Sequence, residues 1–143
     1  MKVNAAGLEL IKSFEQCRLR AYKPTPDDVW TCGWGSTQGV TEDTVWTQEE
    51  ADAALERDLE EAEACVTRAV TAFLHENENA ALVSLCFNIG CKAFTDSTLV
   101  RLLNEGDFDA AQAQFKRWNK QAGKELAGLT RRRSAEETLF ATT

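Results

Sequence analysis

Histidine is almost absent from this chain of 143 residues, since His75 is the only one. Zinc-dependent hydrolysis usually draws on several His or Cys ligands, so the sequence predicts neither a metal nor another cofactor. Long apolar runs are also missing, and no window reaches the roughly 20 apolar residues that cross a bilayer. The N-terminal segment is interrupted by Glu9 and Lys12 and resembles neither a signal peptide nor a membrane anchor. We therefore expect synthesis in a cytoplasm.

Basic residues are outnumbered, with 16 Lys and Arg against 23 Asp and Glu and a formal net charge of −7. This sign disfavours nucleic-acid binding, which depends on neutralising phosphates. The charge is unevenly distributed along the chain. The charged residues between 42 and 63 are almost all acidic, which is typical of a solvated helix face, whereas those between 116 and 133 are almost all basic. The basic segment could face an anionic substrate or a membrane.

The cysteines are five, an odd number, at Cys17, Cys32, Cys65, Cys86 and Cys91. Without a secretory signal, this count predicts reduced thiols that serve as small core residues. The spacing of the last two does not fit a CxxC metal site. A thiol nucleophile formed by Cys17 and the single histidine is disfavoured, because the two residues lie far apart in the sequence.

The first part of the chain predicts a helix that ends on an acid. Asn4 can cap this helix, and Leu8, Ile11 and Phe14 follow at helical spacing. Glu15 falls at or just beyond its end. The length and the composition, with 43% hydrophobic and 27% charged residues, are those of one compact globular domain.

A small antiparallel sheet is predicted after this helix. Residues 18–23 alternate polar and apolar side chains, as a half-buried strand does, and residues 24–28 are rich in Pro and Asp, which favour turns. Residues 29–32 then form the returning strand, and a third short strand is expected near Gly39 and Val40. Two glycines flank Trp34 and indicate a tight backbone, which suits close approach of a ligand.

The rest of the chain is predicted to be helical. Thr47 and Glu50 form a capping box that opens a long helix through about Ala69. Further helices are expected at 77–89, at 98–104, after Asp107 and at 129–140. The fold class is therefore α+β and mainly α. A long helix between a small sheet and a helical remainder suggests two lobes.

An acid, a second carboxylate and a hydroxyl around one cleft fit two reactions. In glycoside hydrolysis one acid protonates the leaving oxygen, while a second carboxylate supports attack by water. A lytic transglycosylase needs only one acid, because a hydroxyl of the sugar itself attacks. The residues available for these roles are Glu15, Asp27, Asp28 and Thr31.

The segments FEQCRLRAY and VWTCGWG resemble the N-terminal motif of phage-type lysozymes, family 24 of the glycoside hydrolases. The similarity continues through ALVSLCFNIG, STLVRLLNEGDFDAA and FKRWNKQAGKELAGLTRRRSAEETLF and covers almost the whole chain. It implies a single lysozyme-like domain over 1–143, with a β lobe at about 15–46, a connecting helix at about 47–70, and a helical lobe made of residues 71–143 together with the N-terminal helix. It also implies that Glu15 is the general acid and that Thr31 helps to place the attacking water.

This sequence departs from the family pattern at the second carboxylate. The family's aspartate usually lies nine residues after the glutamate, where this chain has Pro24. The longer turn favours Asp28 as its replacement, whereas simple alternation places Asp27 on the same face as Thr31. In a third interpretation both aspartates only stabilise the turn. Ser36 stands where many relatives have His, and we expect this difference to affect stability more than chemistry.

The resemblance implies an endolysin that cuts the β-1,4 bond between N-acetylmuramic acid and N-acetylglucosamine in bacterial peptidoglycan. We expect a monomer without a stable membrane anchor, made in the host cytoplasm, released by a separate holin-like pore, and active at the periplasmic wall. Trp34, Asn88 and Asn119 are candidate sugar contacts, although tryptophans are more often core residues. The alternatives are a lytic transglycosylase that uses Glu15 alone and an inactive wall-binding protein.

Overall fold

The computed structural model describes residues 1–142, which form two compact units. One unit, here the helical unit, contains Met1–Leu10 and the chain from Glu61 onwards, and the other, here the sheet unit, contains Ile11–Glu60. The α-helices are α1 (Ala5–Phe14), α2 (Gln48–Ala69), α3 (Glu76–Ile89), α4 (Cys91–Thr95), α5 (Thr98–Asn104), α6 (Phe108–Gln114) and α7 (Ala127–Ala141). The strands are β1 (Arg18–Tyr22), β2 (Thr31–Gly33), β3 (Lys120–Gln121) and β4 (Lys124–Glu125).

Helix α1 begins and ends where its sequence predicts. The side-chain oxygen of Asn4 accepts a hydrogen bond from the backbone N–H of Gly7 at 3.0 Å, which confirms the cap. Ile11 is fully buried. The helix ends at Phe14, and the N–H of Glu15 still donates to the carbonyl of Ile11 at 3.0 Å. The acid therefore begins the segment that leaves the helix.

Strands β1 and β2 pair antiparallel, with Arg18 opposite Gly33 and Tyr22 opposite Thr31, and the register shifts between these pairs. The returning strand starts at Thr31, two residues later than predicted. The third strand expected near residues 39–40 is wrong, because the chain turns at residues 38–39. An isolated bridge to β1 forms further on, between Arg20 and Val45. The edge of the sheet therefore lies at Val45, several residues after the predicted strand.

Helix α2 opens with the predicted capping box. The N–H of Glu50 donates to the Thr47 hydroxyl oxygen at 3.1 Å, and the N–H of Thr47 donates to the Glu50 carboxylate at 2.9 Å. The helix runs to Ala69, as its periodicity predicts. Its buried positions are Ala51, Ala54, Leu55, Leu59, Ala62, Cys65 and Val66. The boundary between the two units lies within this helix, whereas the lobe limits at residues 46 and 70 stay a prediction.

The helices of the helical unit follow the predicted pattern with small shifts. Helix α5 has the predicted limits and α6 is capped by Asp107, whose carboxylate accepts from the N–H of Ala110 at 3.1 Å. Helix α3 begins one residue earlier than expected, and α7 begins two residues earlier. Two elements were not predicted. These are the short helix α4 and the β3–β4 hairpin, which turns through Ala122 and Gly123 at positive φ.

A disulfide joins Cys65 in α2 to Cys91 in α4, with the two Cα atoms 5.9 Å apart. The prediction of reduced thiols is therefore wrong for this pair. The two residues are 26 positions apart, and their proximity depends on how α4 packs, which their spacing does not reveal. Cys32 and Cys86 are free and buried, as expected of core thiols, and Cys17 is free and half-buried.

Candidate active site

The Glu15 carboxylate lies beside the turn that follows β2. A Cβ atom built on Gly35 would lie 3.8 Å from Glu15 Oε2, so the carboxylate faces a backbone position that carries no side chain. Gly35 has a φ of +100°, which L side chains rarely adopt. The turn is closed by paired backbone hydrogen bonds of 2.9 Å between Cys32 and Ser36. Glu15 itself is half-buried.

Thr31 begins β2 and is buried, with 6% of its surface exposed. Its hydroxyl donates to the backbone carbonyl of Val29 at 3.1 Å. A hydroxyl that donates one hydrogen bond keeps lone pairs that can accept another from water. The sheet unit thus contains both Thr31 and Glu15, each at the end of a regular element.

The two aspartates of the turn are exposed. Asp28 Oδ2 accepts from the backbone N–H of Thr25 at 3.1 Å and from the Thr25 hydroxyl at 3.0 Å. The N–H of Asp28 also donates to the Thr25 carbonyl at 3.0 Å. Asp28 therefore stabilises the turn, as the third interpretation requires. Its catalytic role, and the choice between Asp28 and Asp27, stay predictions.

Trp34 is half-buried in the tight turn, and its indole N–H donates to Asp52 Oδ1 at 2.8 Å. The Lys12 ammonium lies 5.4 Å from the centre of the indole ring and 3.5 Å from Asp52 Oδ1. Hydrogen bonds from Trp34 and Gln48, together with the Lys12 charge, lower the pKa of the Asp52 carboxyl. The sequence did not predict this group, because Trp34 and Asp52 are 18 positions apart and no local motif joins them. Only the i,i+4 spacing of Gln48 and Asp52 on one helix is a local signal.

Ser36, the position at which many relatives were expected to carry His, is buried in the same unit. Its hydroxyl donates to Asp58 Oδ2 at 2.6 Å. The contact holds the end of the turn to helix α2, which agrees with an effect on stability.

The two candidate amides lie in the helical unit. Asn88 is exposed near the end of α3. Asn119 is half-buried, and its amide donates to the Thr130 hydroxyl oxygen at 3.1 Å. Asn119 lines an open cleft of about 670 Å³, together with Lys116, Arg117, Lys120, Glu125 and Thr130. Lys116, Arg117 and Lys120 outnumber Glu125 in this lining, so the cleft around Asn119 has a net positive charge.

The end of the basic segment is buried, so its residues do not face the anionic substrate or membrane that the sequence suggested. Arg132 and Arg133 on α7 both contact the carboxylate of Glu136, at 3.3 Å and 2.7 Å. The Ser84 hydroxyl donates to the same carboxylate at 2.5 Å. Burial raises the pKa of Glu136, while the two guanidinium groups act in the opposite direction. The i,i+4 spacing of Arg132 and Glu136 could have indicated this pair.

Within residues 1–142, no three His, Cys, Asp or Glu side chains are grouped as a metal site. In the same range no helix combines the length and the apolar character needed to cross a bilayer.

Comparison with solved structures defines the class of fold. The chain superposes on the muramidase domain of SpmX from Asticaccaulis excentricus with a TM-score of 0.92, at 41% identity and over 99% of both chains. The mainly α, α+β lysozyme-like fold expected from the sequence is confirmed.

Comparison of sequences defines the family. The phage lysozyme family model matches residues 12–136. The chain is 42% identical to an endolysin of Acyrthosiphon pisum secondary endosymbiont phage 1, over 98% of both proteins. It is 39% identical to the endolysin of Bacillus phage PZA, over 98% of this chain but only 55% of that protein. The chain belongs to the phage lysozyme family and is a lysozyme of the endolysin type, which confirms the resemblance.

Proposed function

We propose that this lysozyme hydrolyses the β-1,4 bond between N-acetylmuramic acid and N-acetylglucosamine in bacterial peptidoglycan, with Glu15 as its general acid. The position of the Glu15 carboxylate supports this role, because Glu15 is half-buried at the end of α1 and its carboxylate faces Gly35. A carboxylate beside a residue without a side chain leaves room for a substrate to approach. Membership of the family supplies the class of reaction.

In the proposed reaction the carboxylic acid of Glu15 donates its proton to the bridging oxygen as the bond from that oxygen to the sugar breaks. Positive charge then develops on the sugar ring, and a water molecule attacks its anomeric carbon. Half-burial of Glu15 supports this role, because a site with less water strengthens the electrostatic interactions in it.

Thr31 is proposed to orient the attacking water through the free lone pairs of its hydroxyl oxygen, since its proton is directed to the Val29 carbonyl. Asp28 is proposed as the second carboxylate, which stabilises the developing charge or accepts a proton from the water. The hydrogen bonds from Thr25 give this carboxylate a defined orientation. Asp27, exposed in the same turn, is the alternative.

Trp34, Asn88 and Asn119 are proposed to contact the sugar chain. The Trp34 ring is only half-buried, and an aromatic ring that is partly exposed can stack on a sugar. The Asn119 amide donates to Thr130, which leaves its carbonyl oxygen to accept from an N-acetyl N–H.

The endolysin relatives support action at the bacterial cell wall. Release through a separate holin-like pore, synthesis in the host cytoplasm and the monomeric state remain proposals from the sequence. The comparisons do not favour the lytic transglycosylase or the inactive wall-binding protein.

The decisive experiment compares Glu15→Gln with the wild type on purified peptidoglycan, with mass spectrometry of the released muropeptides. We expect hydrolysed rather than anhydro products from the wild type, and a loss of activity of about 10³-fold in the variant, because removal of a general acid costs 10²–10⁴-fold. Glu9→Gln is the matched control, since Glu9 is exposed on the same helix. Activity of Glu15→Gln close to that of the control would rule out the proposed role.

The two aspartates are separated by their asparagine variants in the same assay. We expect Asp28→Asn to lower activity at least tenfold more than Asp27→Asn, because removal of a working carboxylate lowers the rate. The reverse order would assign the role to Asp27. Equal and mild losses would show that both residues only stabilise the turn.

A further inference from the structure

One carboxylate oxygen in the sheet unit receives three donors. Asp52 Oδ1 accepts from the Trp34 indole N–H at 2.8 Å and from the Gln48 amide at 3.1 Å, and the Lys12 ammonium lies 3.5 Å from it. Hydrogen bonds to an ionised carboxylate are roughly twice as strong as those between neutral groups. Asp52 is therefore a shared attachment point for the end of α1, the turn and the start of α2.

The donors lie on both sides of Glu15 and of the turn beside it. Lys12 is three residues before Glu15, in the last turn of α1. Trp34 immediately precedes Gly35, the residue that faces the Glu15 carboxylate. The Gln48 amide lies 3.7 Å from the sulfur of Cys17, and Cys17 is two residues after Glu15 in the sequence. Asp52 thus connects the end of α1 with the turn through side chains alone.

We propose that Asp52 is a positioning residue for the lysozyme reaction, which holds the Trp34 turn in place beside Glu15, so that the bound sugar presents its bridging oxygen to the Glu15 carboxyl. This inference rests on the proposed role of Glu15 as the general acid. Asp52 acts through the Trp34 indole N–H and the Lys12 ammonium, and it does not itself touch the reacting atoms.

The turn needs such an attachment because its backbone is permissive. Gly33 and Gly35 flank Trp34, and both have positive φ. Glycines give a segment a wide choice of backbone conformations. The hydrogen bond from Trp34 to Asp52 links the turn's central side chain to α2, in addition to the Ser36–Asp58 contact at the end of the turn. A lowered pKa keeps the Asp52 carboxyl ionised, so it remains an acceptor in mildly acidic solution.

The test measures kcat and KM on soluble glycan strands for Asp52→Ala and for Glu49→Ala. Glu49 is an exposed acid in the first turn of the same helix, so its variant removes the same charge without touching the turn. We expect Asp52→Ala to lower kcat about tenfold with KM within twofold of the wild type, because small misplacements of catalytic groups cost up to 10²-fold. Glu49→Ala should keep the wild-type kcat.

Two further variants separate positioning from general loss of structure. Asp52→Asn keeps a carbonyl oxygen for the Trp34 N–H, so it should restore kcat to within about threefold of the wild type. Trp34→Phe removes the donor, so adding Asp52→Ala to it should lower kcat less than twofold further. All assays are run well below the melting temperature of each variant, which circular dichroism supplies.

The inference is overturned if Asp52→Ala only lowers the melting temperature, if it matches Glu49→Ala in kcat, or if it raises KM and leaves kcat unchanged. It is also overturned if the effects of Asp52→Ala and Trp34→Phe on kcat multiply independently. The Glu15→Gln variant reports separately on the proposed function. Loss of activity in Glu15→Gln without an effect of Asp52→Ala would reject this inference alone.

Discussion

Each unit contains one carboxylate that is contacted by several donor groups, but one of these carboxylates is buried and the other is partly exposed. Glu136 in the helical unit is fully buried and is contacted by Arg132, Arg133 and Ser84. Asp52 in the sheet unit has 41% of its side chain exposed and is contacted by Trp34, Gln48 and Lys12. Burial raises the pKa of Glu136, whereas hydrogen bonds lower the pKa of Asp52.

The difference shows how burial changes what a carboxylate contributes. A buried ion pair has lost its water, so removal of one partner leaves uncompensated charge in the core. Glu136 therefore affects the stability of the helical unit as a whole. At Asp52 water can replace a lost partner, so the stability change is small and the orientation of Trp34 is what changes. The contacts of Glu136 therefore stabilise the fold, whereas those of Asp52 orient Trp34.

The largest expected effect is that of Glu136→Gln. Removing this charge leaves two buried guanidinium groups without their carboxylate, so we expect the free energy of unfolding to fall by about 3–5 kcal/mol. Urea denaturation measures this change. Glu137→Gln, at the next position of α7, should change it by less than about 0.5 kcal/mol. A loss below 1 kcal/mol for Glu136→Gln would show that the buried carboxylate contributes no more to stability than a partly exposed one.

The second effect concerns the covalent link of the helical unit. Cys65→Ala/Cys91→Ala removes a cross-link that closes a loop of about 26 residues, so we expect a loss of about 3 kcal/mol. Reduction of the wild type should produce a similar loss in thermal denaturation. Cys17→Ala, which removes a free thiol from the sheet unit, is the control. Indifference of the wild type to reductant would contradict the disulfide.

A smaller effect is expected in the sheet unit from Ser36→Ala. This change removes the hydrogen bond to Asp58 and should lower the free energy of unfolding by about 1 kcal/mol. Thr37→Ala, at the exposed neighbouring position, is the control. Denaturant titration of both variants provides the measurement. A loss as large as that of Glu136→Gln would show that partly exposed contacts in this unit matter as much as the buried cluster.

The smallest effect is the pH dependence of the Asp52 contacts. The folded-state pKa of Asp52 is lowered, so its stabilisation is fully present above the unfolded value near 4 and is lost as the pH falls through the folded pKa. The difference in stability between the wild type and Asp52→Asn should stay below about 1 kcal/mol at pH 6 and disappear at the lowest pH. Denaturation at several pH values tests this, and a difference that grows with acidity would reverse the assigned sign.

Several features of the fold were predictable because their signals are local. The cap at Asn4, the capping box at Thr47 and Glu50, and the limits of α2 and α5 depend on residues a few positions apart. The position of Glu15 after α1 follows from the same helix periodicity. The prediction of a third strand was wrong because the residue that pairs with β1 is Val45, and no local pattern identifies it.

The candidate site was predictable only in part. Glu15 and Thr31 were found through the similarity of their segments to a family, and the structure adds their surroundings at Gly35 and Val29. The role of Asp52 was not predictable, because Trp34 and Lys12 come from separate segments that only folding brings to it.

The class of the protein was readable from the resemblance of its segments to a family. Most of the helices, and the acid after the first one, were readable because caps and periodicity act over a few neighbouring residues. The tertiary structure alone decided the partner of Cys65, the burial of Glu136 with two arginines, and the attachment of Trp34 to Asp52. Each of these contacts joins side chains whose desolvation and geometry depend on packing, which a linear pattern does not contain.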